Sequence, residues 1–215
     1  MIRSPILLLL LVLASMLGSV SSLAQTRAPG ASVVNASEPN ALIETAANAM
    51  VSELESRRAE LRKDPAKLGE LVDRILLPHF DVNHAARLVL GKHWRSATPE
   101  QRQQFIDAFY GSLMSNYGDA LLEFTGDRIK VLPTPVPADA VSASVRTEVR
   151  RSNGTRVPVN YSLRKTEAGW KVWDVVIEGI SYVKSFREDF GAEIDQKGLD
   201  AVIDRLQAQN RGVGR

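Results

Sequence analysis

The sequence predicts an α+β fold, with helices packed on one face of a curved antiparallel sheet of about four strands. Apolar residues recur at helical spacing from residue 41 to about residue 126. Beyond that point they alternate with polar residues, which is the period of a half-buried strand. Because helices come first and the strands follow as a block, the α+β class is favoured. The chain shows no internal repeat, and we predict a single domain at residues 41–208.

The N-terminus has the features of a secretory signal peptide. Arg3 precedes an apolar run at residues 6–12, and Ser22-Leu23-Ala24 fits a small-x-small cleavage site. An uncleaved membrane anchor is the alternative, but the apolar run is short for a membrane span. We therefore predict a cleaved signal peptide at residues 1–24. A flexible leader at residues 25–40 and a disordered tail at residues 209–215 complete the predicted organisation.

Composition limits the classes of function. The 215 residues include no cysteine, so an exported chain of this kind has no disulfides and must be stabilised by a conventional core. The hydrophobic fraction of 44% is sufficient for such a core. The net charge is only +2, and charges of both signs are interspersed, which does not indicate a nucleic-acid partner. We expect a monomer that binds no nucleic acid.

Four helices are predicted before the strands begin. The first covers residues 41–62, and Asp64-Pro65 starts the second, which stops at Pro78. Asp81 can cap a third helix that ends at Gly91. The longest helix starts at Thr98-Pro99-Glu100-Gln101, where Thr98 caps, Pro99 suits the first helical position and Gln101 completes a capping box. Gly126 is expected to end it.

The strands are predicted from alternation and turn signals. Strands are expected at residues 128–132 and 141–150, followed by a hairpin turn at Asn153-Gly154. The return strand carries Pro158, which predicts a bulge or an unpaired position. A turn at residues 167–169 leads into a strand at residues 170–178 that is apolar on both faces. A broken helix at residues 182–194 and a last helix at residues 199–206 follow.

Candidate catalytic and metal-binding residues are few. The sequence has no Gly-x-Ser-x-Gly elbow, phosphate loop or dinucleotide motif. His79 and His84 are five residues apart, which fits no common ligand spacing, so we expect no metal. Asp174 and Glu178 share a strand face but are roughly 13 Å apart by strand rise, too far for a catalytic dyad. We favour a structural role for Asp174 and expect neither an enzyme nor a cofactor.

Several short motifs occur in a fixed order along the chain. They are Phe80-Asp81, Ala86-Arg87-Leu88-Val89-Leu90-Gly91, Trp94, Thr98-Pro99-Glu100-Gln101-Arg102, Phe105, Val157-Pro158-Val159-Asn160-Tyr161, Gly169-Trp170-Lys171-Val172-Trp173-Asp174-Val175, Glu178-Gly179-Ile180-Ser181, Phe186-Arg187 and Phe190. This set resembles the MlaC, or toluene-tolerance (Ttg2-type), family of periplasmic phospholipid carriers. The Gly-Trp-Lys-Val-x-Asp block alone also resembles cone-shaped sheets of the nuclear-transport-factor type. An enzyme of that type, with Asp174 as the base acting on an apolar ligand, is therefore the alternative hypothesis.

The resemblance implies a soluble shuttle in the periplasm that maintains outer-membrane lipid asymmetry. Its implied partners are a phospholipid, an inner-membrane ATP-driven lipid transporter complex and an outer-membrane lipoprotein–porin complex. The acyl chains would lie between sheet and helices. Candidate lining residues are Leu88, Phe105, Phe109, Leu113 and Tyr117 on the helices, and Val145, Val149, Val159, Tyr161, Val172, Val175 and Ile177 on the sheet. Periodicity does not separate a filled core from a hollow one, so both interpretations stay open.

Basic residues flank the predicted hairpin. These are Arg146, Arg150, Arg151 and Arg156. They fit a solvated sheet edge that discourages strand-to-strand association. They also fit a contact, through Arg146, Arg150 and Arg151, with anionic headgroups or with an acidic partner face.

Overall fold

A computed structural model describes residues 38–122, 129–150 and 154–213 of the chain. The predicted signal peptide, residues 25–37 of the predicted leader, Gly126, Arg151 and Asn153 lie outside the described residues. Within the described ranges, no helix combines the length and the apolar character needed to cross a membrane.

The helices precede and follow one antiparallel sheet. The strands lie in sequence order within it: β1 (Ile129–Leu132), β2 (Ser142–Arg150), β3 (Arg156–Thr166), β4 (Gly169–Ile177) and β5 (Ile180–Ser181). A short 3₁₀ helix occupies Leu77–His79. The α-helices are α1 (Pro39–Lys63), α2 (Pro65–Ile75), α3 (Val82–Leu90), α4 (His93–Ser96), α5 (Pro99–Leu121), α6 (Tyr182–Lys197) and α7 (Leu199–Val213). The predicted α+β class is confirmed, with a two-residue fifth strand added to the expected four.

The predicted helix starts are confirmed by their capping hydrogen bonds. The Asp64 carboxylate accepts from the Ala66 N–H at 3.2 Å at the start of α2. The Asp81 carboxylate accepts from the His84 N–H at 3.0 Å at the start of α3. At α5, the Gln101 N–H donates to Thr98 Oγ1 at 3.2 Å, and the Thr98 N–H donates to Gln101 Oε1 at 3.0 Å. This reciprocal pair is the predicted capping box.

Three helix boundaries differ from the prediction. Helix α1 begins at Pro39, inside the predicted leader, because Leu42 and Ile43 in its first turns are buried in a cluster with the sheet. Helix α6 is continuous rather than broken, because Phe190 and Ile194 bury its apolar side. Helix α7 runs to Val213, so residues 209–213 are helical where a disordered tail was predicted.

A contact between helices explains the extra turns of α7. The Asn210 side-chain amide donates to the Ala108 carbonyl of α5 at 3.0 Å. It also sits so close to Gly111 that a Cβ there would lie 2.3 Å from Asn210 Nδ2. Tertiary packing therefore extends α7 beyond Leu206, where the predicted helix ended.

The sheet irregularity is not at Pro158, where it was predicted. Pro158 pairs in regular register with Glu148, and its carbonyl accepts from the Glu178 N–H at 3.0 Å. The backbone of Pro158 therefore points toward β4 at the position just after β4 ends at Ile177. Because no residue of β4 pairs with Pro158 there, its missing N–H removes no hydrogen bond between paired strand residues. The register shift lies instead between Ser162 and Leu163, with Trp173 as the extra residue on β4.

The apolar interior is divided into three clusters. The helical cluster joins α3, α5, α6 and α7 around Phe105, Phe190 and Val202. The α1–α2 cluster contains Leu54 and Leu71 and also reaches Leu122. The sheet cluster joins the start of α1 to the strands, with buried residues Leu42, Ile43, Val145, Leu163, Trp170 and Val172. A domain of this size more often has one contiguous core, so the division is informative about the site.

Candidate functional site

One face of the sheet, the inner face, carries apolar side chains in rows across three strands. Val145 on β2 pairs with Tyr161 on β3, which pairs with Val175 on β4. The next row, toward the β2–β3 hairpin, contains Thr147, Val159 and Ile177, and Val149 pairs with Val157 beyond it. Because side chains alternate along a strand, all of these residues point to the same side.

Helix α1 covers only one part of the inner face. Its residues Leu42 and Ile43 share the sheet cluster with Val145, and Tyr161 and Val175 pack against that cluster. Toward the hairpin, the side chains of Val149, Val157, Val159 and Ile177, here called the hairpin-end patch, belong to none of the three clusters of described residues. Val157 and Val159 are nevertheless buried, and Val149 and Ile177 are half-buried.

Two polar groups on the inner face are adapted to apolar surroundings. The Thr147 hydroxyl donates to the Val159 carbonyl at 2.9 Å, which satisfies a fully buried polar atom. Burial raises the pKa of Tyr161, against the opposing effect of its hydrogen bond with Thr147, so the phenol stays neutral. Neither group places a charge on the inner face.

Helix α5 stands apart from the sheet. It packs closely along α7 and also against α2 and α3, whereas its Cα atoms come within 8 Å of the described strands at isolated points at most. Its apolar stripe continues past Phe109 with Leu113 and Tyr117, which are half-buried and lie outside all three clusters of the described chain. The hairpin-end patch and this half of α5 are thus two apolar surfaces without a shared core.

A row of aromatic rings connects α5 with α6. This aromatic row consists of Phe105, Phe109 and Tyr117 on α5 and Tyr182, Phe186 and Phe190 on α6. The ring centroids of Phe109 and Phe186 are 5.0 Å apart, those of Phe105 and Phe190 are 5.6 Å apart, and those of Tyr117 and Tyr182 are 6.3 Å apart. The edge-to-face contacts are favourable and fill the space between the helices. The row runs from the fully buried Phe105 to the half-buried tyrosines.

The predicted lining residues therefore fall into three groups. Phe105 and Phe109 belong to the helical cluster or pack against it, and Val145, Tyr161, Val172 and Val175 do the same in the sheet cluster. Five residues lie in none of the clusters of described side chains: Leu88, Leu113, Tyr117, Val149 and Ile177, all of them half-buried. Val159 is also outside the clusters and is 7% exposed.

Sequence reasoning missed the aromatic side of α6. Tyr182, Phe186 and Phe190 recur every four residues, the same signal that identified the stripe on α5. The predicted break in this helix obscured the pattern. The observed row shows that both stripes face each other.

Asp174 is an anchor for α6. It is 5% exposed, and its two carboxylate oxygens accept from the Ser181 hydroxyl at 2.6 Å and from the Val183 N–H at 3.0 Å. Ser181 Oγ in turn accepts from the Lys184 N–H at 3.1 Å and caps the helix. A carboxylate held by fixed donors at a helix N-terminus is well placed for a structural role. The geometry gives no support to Asp174 as a catalytic base.

The histidines have structural surroundings. Burial lowers the pKa of His79 and of His84, and the His84 ring packs edge-on against Trp173 at 5.8 Å. His93 Nε2 lies 3.4 Å from an Asp195 oxygen. No group of three or more possible metal ligands occurs in the part of the chain that the structure describes.

The basic residues of the hairpin lie on the outer face of the sheet. Arg146 and Arg150 are exposed, and Arg150 stands directly opposite Arg156 in the register. Arg156 is paired with Glu148 at 3.5 Å. Arg151 lies outside the described residues.

Comparison with known proteins identifies the family. The family model described as "MlaC protein" matches residues 44–208, which is most of the chain. The chain belongs to the MlaC family. The predicted resemblance is confirmed, and the match includes α1 from Glu44 onward, the aromatic row and the whole sheet.

Two curated members of the MlaC family are similar over four fifths of the chain. The toluene tolerance protein ttg2D of Pseudomonas putida is 33% identical over 174 residues, covering 80% of this chain and 80% of the relative. The intermembrane phospholipid transport system binding protein MlaC of Haemophilus influenzae is 26% identical over 172 residues, covering 79% and 80%.

A solved structure has a similar fold. It is the phospholipid-binding protein from Ralstonia solanacearum in complex with a phospholipid. It matches with a TM-score of 0.76 and 27% sequence identity, covering 83% of this chain and all of that chain. The fold that holds a phospholipid in that protein is thus the fold of this MlaC-family chain.

Proposed function

We propose that this protein is a periplasmic phospholipid carrier that moves lipid between the inner and outer membranes and so maintains outer-membrane lipid asymmetry. The observation that carries the proposal is the R. solanacearum relative, which holds a phospholipid on the same fold over 83% of this chain. The H. influenzae relative, named for intermembrane phospholipid transport, supports the same role. The signal-peptide pattern of residues 1–24 supports a periplasmic location.

The free-energy cost of moving a phospholipid from a bilayer into water is large. Burying one methylene group is worth about 0.8 kcal/mol, so two chains of roughly sixteen carbons leave a bilayer at a cost on the order of 25 kcal/mol. A carrier makes the crossing feasible if its interior is about as apolar as the bilayer. Transfer between membrane and protein is then close to neutral in free energy.

We place the acyl chains between the hairpin-end patch and α5. Both surfaces are apolar, both lie outside the three clusters of described residues, and α5 is set apart from the strands. Residues proposed to contact the tails are Val149, Val159 and Ile177 on the sheet and Leu113 and Tyr117 on α5. The buried Phe105, Val145 and Val172 support these walls from within the filled clusters. Leu88 on α3 is a more peripheral candidate.

The proposed activity is carriage without catalysis. Both oxygens of Asp174 are occupied by donors at the N-terminus of α6, the Ser181 hydroxyl and the Val183 N–H. Asp174 pairs with Ser162, one residue away from the Tyr161–Val175 pair, so its side chain lies on the opposite face of β4 from Val175. Asp174 therefore holds α6 in place against the sheet, which keeps the aromatic row in register.

The outer face of the hairpin is proposed as a contact with an anionic surface during transfer. Arg146 and Arg150 are exposed on this face, and exposed cations attract an anionic partner. Among the described residues Arg146 and Arg150 carry this proposal, and Arg151, assigned to the same contact from the sequence, lies outside them. Its proposed partners are the inner-membrane ATP-driven transporter and the outer-membrane lipoprotein–porin complex.

Native mass spectrometry of the mature protein, beginning at Gln25, tests the carrier role. We expect a monomer that carries one or more co-purified phospholipids. After delipidation, the protein should take up phospholipid from vesicles and deliver it to acceptor vesicles. A delipidated protein that remains folded and takes up no phospholipid would contradict the proposal.

A further inference from the structure

The chemical character of the aromatic row changes along its length. At one end of the row Phe105 and Phe190 are buried and Phe109 and Phe186 are half-buried. At the other end lie its two hydroxyl-bearing rings, Tyr117 and Tyr182, which are half-buried. Tyrosine is suited to a boundary where an apolar surface meets water, because its ring is apolar and its hydroxyl is polar. We call the end with Tyr117 and Tyr182 the tyrosine end of the row.

The tyrosine end lies beside the surface proposed to hold acyl chains. Tyr182 is the first residue of α6 and directly follows β5, where Ile180 pairs with Ile177 of the hairpin-end patch. Tyr117 is one turn beyond Leu113 on α5. Ile180 is 56% exposed, so solvent reaches the sheet edge beside the hairpin-end patch. The tyrosine pair therefore marks an edge of the proposed acyl-chain site.

The two hydroxyls are available as donors. The structure gives neither of them a hydrogen-bond partner among the residues it describes. Burial raises the pKa of both tyrosines, and nearby carboxylates, Asp189 for Tyr117 and Glu178 for Tyr182, raise it further. Both phenols are thus protonated at neutral pH and can donate one hydrogen bond each.

We propose that the hydroxyls of Tyr117 and Tyr182 donate hydrogen bonds to the ester and phosphate oxygens at the junction between the headgroup and the tails of a bound diacyl phospholipid. This inference rests on the proposed carrier function. The phenol rings border the tails, and the hydroxyls fix the depth at which the polar part of the lipid stops. The pair selects for a lipid with acceptors at the head of its tails over a plain hydrocarbon of the same length.

The double variant Tyr117→Phe/Tyr182→Phe tests the proposal, because it removes both hydroxyls and keeps both rings. The protein is loaded either with a pyrene-labelled diacyl phospholipid or with 1-dodecylpyrene, a hydrocarbon without oxygen. Release to acceptor vesicles is followed by fluorescence. We expect about tenfold faster release of the phospholipid from the double variant and an unchanged release of the hydrocarbon. Each single variant should show a smaller acceleration.

Tyr110→Phe is the matched control, since Tyr110 lies on the same helix and its hydroxyl donates to Asp73 instead. It should release both probes like the wild type. Equal phospholipid release from the double variant and the wild type would overturn the proposal, and so would equal acceleration of both probes, which indicates a packing role. If the wild-type protein takes up no phospholipid at all, the carrier function itself fails, and the tyrosine proposal fails with it.

Discussion

The helical cluster and the hairpin-end patch use similar residue types but differ in what covers them. Phe105 has no exposed surface, and its ring contacts those of Phe109 and Phe190. Val149 and Ile177 on the inner face are half-buried and share no cluster with described residues of other elements. Apolar side chains alone therefore do not distinguish a core from a binding surface. The distinction comes from whether the protein's own side chains complete the contact.

We propose that this difference separates residues that stabilise the fold from residues that bind lipid. The helical cluster stabilises the fold through its own packing, so changes there should alter the free energy of unfolding. The hairpin-end patch is proposed to be completed by acyl chains, so changes there should alter lipid binding first. Substitutions matched between the two regions test this contrast directly.

Truncation to alanine should give the largest difference in the free energy of unfolding between the two regions. Phe105→Ala removes a fully buried ring from the helical cluster and is expected to lower the free energy of unfolding by about 3–5 kcal/mol. Val149→Ala removes two half-buried methyl groups and should cost about 1 kcal/mol or less. Urea unfolding of the lipid-free proteins measures both values. Similar losses at the two positions, after allowance for side-chain size, would show that Val149 is packed as core.

Replacing valine by tryptophan at two positions of β2 should distinguish a core residue from a residue of the proposed lipid site. Val145→Trp overpacks the sheet cluster and is expected to destabilise the protein by about 1–3 kcal/mol. Val149→Trp, four residues along β2 on the same face, should leave the lipid-free protein nearly as stable as wild type but lower its phospholipid occupancy. Thermal unfolding and native mass spectrometry report the two effects. Full occupancy in a folded Val149→Trp variant would remove this residue from the proposed site.

The smallest effect on the fold is expected on the outer face of the same hairpin. Arg146→Glu/Arg150→Glu should leave unfolding and lipid occupancy unchanged and should slow transfer to anionic vesicles, with a smaller difference at high salt. The control is Arg95→Glu/Lys165→Glu, which reverses two exposed charges elsewhere. If both double variants slow transfer equally, net charge accounts for the effect and the proposed contact is wrong.

Local signals accounted for the helix starts. Asp64, Asp81 and Thr98 each cap the helix predicted from the sequence, because capping depends on side chains within three residues of the helix start. The strand β2 was also predictable, since Val145 and Val149 alternate with polar neighbours. The errors at α6, α7 and Pro158 have a different origin. In each case the deciding contact comes from residues distant in the sequence, such as Ala108 for Asn210.

The candidate site was predictable only as a set of apolar positions. Phe109, Leu113 and Tyr117 form one periodic stripe, yet Phe109 packs against the helical cluster while Leu113 and Tyr117 do not. Nothing in the periodicity marks that division. In the structure Phe109 contacts Phe186 and Phe190, which belong to the helical cluster or pack against it, whereas Tyr117 contacts Tyr182, which lies outside the clusters of described residues.

Local signals along the chain were sufficient to predict the fold class, three helix starts, which strand residues share a face, and membership of the MlaC family. These depend on local hydrogen bonds, on the periods of helix and strand, and on ordered motifs that the chain carries directly. The packing of distant elements decides which apolar residues join a core cluster and which, among the described residues, lie outside every cluster. That outcome depends on the distance between elements that are far apart in the chain. The type of a residue and its local sequence do not specify this distance.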